Sequence, residues 1–128
     1  MLEDEAKRIR YQKNVKILKD IGNFTLEQMV KVLAEMKEED SNFSEFLQFI
    51  RDWYRDVLIV LVGADVRKLI FSTEMKTMKE KAEQYSLTKV NQILEAVDLA
   101  QDRIQANVKA ELAMQMLLME MKVGEDNG

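Results

Sequence analysis

Apolar residues recur along this chain at intervals of three and four, and no stretch keeps the strict alternation of a strand. Over residues 3–21, Tyr11, Val15 and Leu18 share one helical face. Leu2, Ala6 and Ile9 fall nearly opposite, so the amphipathic signal is weaker in the first half. Gly22 offers a C-terminal cap, with Asn23 continuing the turn. Thr25-Leu26-Glu27-Gln28 then has the form of a capping box, with Phe24 before it as a staple residue. Leu26, Met29, Val30 and Leu33 follow at helical spacing, which predicts a second helix to about Lys37. The polar run EEDSN, residues 38–42, is a hinge. After it Ser41 or Ser44 can cap a third helix that reaches about Val62 and stops at Gly63. At about 30 Å this would be the longest and most central element.

Residues 64–71, ADVRKLIF, fit a loop or short turn that tucks Leu69 and Ile70 inward. Ser72 or Thr73 starts a fourth helix to about Gln84. Ser86 caps a fifth that carries Leu87, Val90, Ile93, Leu94, Val97, Ala100 and Ile104. Asn107 breaks that pattern, and a last helix runs from about Lys109 to Lys122, leaving GEDNG, residues 124–128, as a disordered tail. The chain is thus expected to be all-α: a single bundle of five to six helices over residues 1–123.

Composition narrows the chemistry. There is no proline and only four glycines, so long helices meet few breakers. Neither Cys nor His occurs, which removes thiol nucleophiles, disulfides and the commonest general base and metal ligand. A net charge of −4 gives no electrostatic reason to bind nucleic acid or an anionic membrane. The longest apolar run, Val57 to Val62, is far short of the roughly 20 residues a membrane span needs. A cytoplasmic, non-enzymatic protein with no metal or cofactor is the expectation.

Two segments stand out. The first is FIRDWYRDVLIVLVG, residues 49–63. On a helix, Glu45, Gln48, Asp52, Arg55 and Asp56 fall on one side. Phe46, Phe49, Ile50, Trp53, Tyr54, Val57, Leu58, Val60 and Leu61 cover the other half, and Ile59 and Val62 intrude on the polar side near the end. Neighbours should therefore pack on several sides, most of all at the C-terminal end. Trp53 and Tyr54 read as core residues whose polar atoms find partners at its edge. The Arg51-Asp52 and Arg55-Asp56 pairs place like charges at i,i+4, and the one attractive helical pair is Asp52 with Arg55. These charges are expected to find partners on other helices rather than to form a catalytic cluster. The second segment is the last helix. Ala110, Ala113, Met114, Leu117 and Met121, with Leu118 at the edge, form one apolar face. Leu112, Met116, Met119 and Val123 form another. A second apolar face is covered either by a neighbouring helix, if this helix sits mid-bundle, or by another chain.

Taken in order, DWYRDVLIVLVG and ANVKAELAMQMLLMEM resemble the C-terminal collar domain of the bacterial clamp-loader delta prime subunit, part of the DNA polymerase holoenzyme. Trp53, Tyr54, Arg55 and Asp56 match that family's W-Y-R-D signature. Asn107, Val108, Leu112, Ala113, Leu117 and Leu118 match its N-V-N opening and L-A-x-x-x-L-L helix. YSLTKVNQILEAVDLAQDRIQANV is similar to the family's penultimate helix, so the likeness covers the chain from about residue 43 and more loosely the two helices before it. Lys109 stands where the family has a second Asn, so the helix-capping role of that Asn passes to Asn107 or is lost. Gln115 replaces the usual acidic residue after L-A, unless Glu111 takes its place. The gamma/tau subunits have related collar domains, which are the nearest alternative match for this pattern.

The resemblance implies a domain that assembles rather than reacts. Collar domains of five subunits form a ring holding the loader together while other domains open the sliding clamp. Partners would be the gamma/tau and delta subunits, with Leu112, Met116 and Met119 contributing to the subunit surface and weak self-association in isolation. The delta prime family carries an ATPase-type domain before its collar. This chain has no G-x-x-x-x-G-K-S/T, and so reads as an excised C-terminal domain. The rival reading is a stand-alone helical adaptor that shares these motifs.

Overall fold

A computed structural model describes the backbone of residues 2–123 and the side chains of residues 4–122. The expected tail, residues 124–128, and the side chains of Leu2 and Val123 lie outside the described residues. The architecture is an all-helical bundle of six α-helices: α1 (Leu2–Asp20), α2 (Leu26–Lys37), α3 (Ser44–Leu61), α4 (Met75–Gln84), α5 (Leu87–Gln105) and α6 (Ala110–Val123). Short 3-10 turns at Ile21–Asn23, Val66–Lys68 and Ser72–Glu74 join them, and no strand occurs among the described residues.

Local chemistry explains most boundaries. At the start of α2 the capping box is complete: Gln28 N donates to Thr25 Oγ1 at 3.1 Å, and Thr25 N donates to Gln28 Oε1 at 2.8 Å. Ser86 opens α5 by accepting from Lys89 N at 3.0 Å. Gly63 closes α3 with φ +71°, and the pair Gly63 N to Val60 O and Ala64 N to Ile59 O makes a Schellman motif. Asn107 closes α5 the same way, at φ 68°, with Asn107 N on Ile104 O and Val108 N on Arg103 O. Its role is therefore to end α5, not to cap the start of α6.

Two expected caps are different. Gly22 lies inside the 3-10 turn rather than in a left-handed cap, so α1 tightens into Ile21–Asn23 instead of stopping on glycine. Neither Ser41 nor Ser44 caps α3. Phe43 occupies the cap position at φ 53° with its side chain fully buried, and Asp40 supplies the acceptors from outside the helix. Its carboxylate takes Glu45 N at 2.9 Å, Ser44 Oγ at 3.0 Å and Asn42 N at 3.3 Å. Burial pushes the Asp40 carboxyl up. The hydrogen bonds from Glu45, Ser44 and Asn42 outweigh that and hold it below the usual carboxylate range.

α3 is central, packing on α4, α5 and α1, though α1 and α5 are each one residue longer. α6 lies between α5 and α2, antiparallel to both: Lys89 Nζ reaches Glu120 at 2.9 Å, Lys37 Nζ reaches Glu111 at 3.0 Å, and Lys122 Nζ donates to the Phe24 carbonyl. The core runs through Leu18, Ile21, Leu33, Ile50, Trp53, Tyr54, Val57, Met78, Ile93, Val97, Met114 and Leu118, all fully buried. Burial of α3 is greatest in its middle, not at its C-terminal end. Leu58 to Leu61 are only half-buried and Val62 is exposed, because the chain turns at Gly63 and folds back over the middle of the helix. In that returning segment Leu69 tucks inward as expected. Ile70 is exposed, and Phe71 takes the inner position instead. On α2, Met29 and Leu33 are buried, whereas Leu26 and Val30 are exposed.

Candidate interaction surface

The W-Y-R-D quartet is dispersed by helical geometry into separate structural tasks. Trp53 is fully buried, and its ring meets Phe71 edge-on at 5.2 Å between centroids. Phe71 also packs on Phe49 at 5.0 Å and stacks on Tyr11 at 5.9 Å, so four rings from α1, α3 and the 64–74 connection close over one another. Trp53 Nε1 has no hydrogen-bond partner among the described residues, contrary to the expectation that it would find one at the core edge. The ring is held by packing alone.

Asp56 was placed on the polar side of the helix, yet it is 0% exposed. Its two oxygens accept from Ile70 N at 3.0 Å and Phe71 N at 2.7 Å. Asp56 thus finds its partners in the connection after α3 rather than on another helix, as was expected of these charges. Asp56 instead satisfies two adjacent amide groups that the returning loop would leave without partners. Arg55 is exposed, and no described residue bonds to it. Tyr54 is buried, with its hydroxyl 3.3 Å from that of Tyr85. Tyr85 in turn donates to the Met121 carbonyl at 3.2 Å, so Tyr54 is the donor to Tyr85. That relay ties α3 to the end of α4 and to the last turn of α6. Arg51 finds a partner on another helix, reaching Asp98 at 2.9 Å and Gln101 at 3.1 Å. Asp52 accepts from Gln48 within α3 and forms no pair with Arg55. The quartet therefore clamps connections; it does not converge on a cleft.

α6 divides as its wheel predicts. Ala113, Met114, Leu117, Leu118 and Met121 are buried. Leu112, Met116 and Met119 are 49%, 42% and 48% exposed, so they form an outward stripe and not a second internal face. The ion pairs of Glu111 with Lys37 and Glu120 with Lys89 bracket that stripe on the α2 and α5 sides. α2 widens it. Leu26 and Val30 lie within about 40° of Lys37 on the helical wheel, on the side turned towards α6. Both are exposed, at 54% and 39%. The sequence pattern placed them only at helical spacing with Met29 and Leu33. Their heptad-like spacing cannot tell the face turned inward from the flank beside α6.

Among the described residues, no three acidic side chains gather where a metal ion could be held, and no helix is long and apolar enough to cross a membrane. Comparison with protein-family models, with curated proteins and with solved structures gives no match for this chain.

Proposed function

We propose that this domain is a non-catalytic oligomerisation module of the clamp-loader collar kind. It would assemble with gamma/tau and delta subunits in the cytoplasm, with no direct nucleic-acid contact and no cofactor. The observation that carries the assembly reading is the exposed stripe of Leu112, Met116 and Met119, extended by Leu26 and Val30. A monomer gains nothing from five large apolar side chains in water, whereas covering them is worth roughly 25 cal/mol per Å² before the costs of association. Methionine suits such a surface because its unbranched thioether adapts to a partner. The collar assignment rests on the W-Y-R-D and N-V-K motif order. It is supported by the work these residues do: Trp53 and Asp56 lock a connection, and Asn107 sets the turn that presents α6.

The test is a pull-down of gamma/tau and delta subunits by protein carrying Met116→Asp and Met119→Asp. The collar reading expects a folded variant that no longer captures them. Native capture by a folded variant would remove the stripe from the interface, and capture of neither subunit by the unmodified protein would remove the collar reading itself. Sedimentation of the isolated domain adds a second readout: weak self-association through the stripe should disappear in the same variant.

A further inference from the structure

On the other side of α2 the bundle is open. α1 leans on α3 and on the 3-10 turn at Ile21–Asn23 but makes no comparable contact with α2. The gap is a groove of about 560 Å³. Its floor is apolar, made by Ile17, Phe24, Val32, Met36, Phe43 and Phe46. Its two walls carry opposite charge. Lys13 and Lys16 stand on α1, Glu35 stands on α2, and Glu39 stands in the turn that follows α2. None of these four makes an ion pair or hydrogen bond with a described residue, because the gap holds them apart. At one end Arg10 and Glu45 do close on each other, at 2.9 Å; Asp20 lies at the other. Asn14 also lines the groove. It is only 6% exposed, and its carboxamide has no hydrogen-bond partner among the described residues. Its polar atoms are still reached by solvent, so an incoming polar group can take the place of water there.

We propose that this groove receives an amphipathic helix of a partner protein. Its acidic flank would face Lys13 and Lys16, its basic flank would face Glu35 and Glu39, and a polar side chain would meet Asn14. An α-helix is the fitting occupant because it satisfies its own backbone, and a floor with a single polar side chain can do little for an extended strand. No sheet edge exists among the described residues for a strand to join. Arg10 to Asp20 covers about 15 Å of α1, which matches roughly three helical turns. Walls of opposite sign also fix the direction in which a helix with sorted flanks can lie. The groove is distinct from the α6 stripe, and the inference stands whether or not the collar reading does.

A displayed library of helical peptides of about 16 residues tests this, with an apolar stripe at i, i+3, i+4 and i+7 and randomised flanks. Selection against the protein should enrich peptides with acidic residues on one flank and basic residues on the other. Fluorescence anisotropy should then show binding weakened at least about tenfold by Lys13→Glu with Lys16→Glu. Adding Glu35→Lys and Glu39→Lys should restore binding to peptides whose flanks are exchanged. All four positions are exposed, so these variants keep the fold. Absence of enrichment, enrichment with unsorted flanks, or binders indifferent to the charge reversals would each overturn the proposal. So would selected peptides displaced by α6-stripe substitutions instead of groove substitutions.

Discussion

Replacing Asp56 with Ala tests the central clamp most directly. The side chain is fully buried and accepts two backbone hydrogen bonds, from Ile70 N at 3.0 Å and from Phe71 N at 2.7 Å. Truncation leaves the buried Phe71 amide with no acceptor, which costs about 1–3 kcal/mol. The Ile70 amide is only partly buried and regains water, so it adds less. Removing a carboxylate from the interior returns some desolvation energy and offsets part of the loss. The net expectation is about 1–3 kcal/mol of destabilisation. With a urea slope of about 1–3 kcal/mol per M for a domain of this size, the midpoint should fall by roughly 1 M. The chain has a single tryptophan, Trp53, packed on Phe71, so its fluorescence reports the same region. Asp56→Asn sharpens the test. It keeps one acceptor oxygen but turns an NH₂ group towards the other amide, so it should be destabilised nearly as much as the Ala variant. A double-mutant cycle with Phe71→Ala should show coupling of about 1 kcal/mol, since both residues hold the same loop. An unchanged midpoint in Asp56→Ala would refute the reasoning and reduce the two hydrogen bonds to bystanders.

Two further outcomes follow from the caps. Asp40 has its folded pKa lowered from the ordinary 3.8, so its contribution is present above that value and is lost as pH falls through the lower folded value. The stability difference between Asp40→Ala and the unmodified protein should therefore be full at neutral pH and shrink on acidification below 3.8, as read by urea midpoints across that range; a difference independent of pH would exclude the capping role. At Gly63, a Cβ would meet nothing within 4 Å, so only the φ of +71° opposes a side chain. Gly63→Ala should cost about 1–2 kcal/mol and Gly63→Asn clearly less, since Asn tolerates the left-handed region; equal costs would point to a steric cause instead.

The sequence by itself determined the helices and most of their ends, because those depend on neighbours within one turn. Thr25 and Gln28, Ser86 and Lys89, and Gly63 with its left-handed φ are local devices that work wherever the bundle places them. It also determined that α6 has two apolar faces, since 3.6-residue periodicity needs no tertiary knowledge. Tertiary structure decided which of those faces is covered: α5 and α2 flank α6 and leave Leu112, Met116 and Met119 outside. It likewise decided that Leu26 and Val30 face solvent, because a wheel gives angles between residues but not the direction of the core. Asp56 is the clearest case. Its place on the polar side of α3 predicts a partner on another helix, and only the return of residues 64–74 across that side makes it instead a buried acceptor for Ile70 and Phe71. Contacts between residues 14 and 15 positions apart depend on the path of an irregular connection, and no periodicity encodes that path. The groove between α1 and α2 was invisible for the same reason: Asn14, Lys13 and Glu35 become one site only when the Ile21–Asn23 turn sets the angle between two helices.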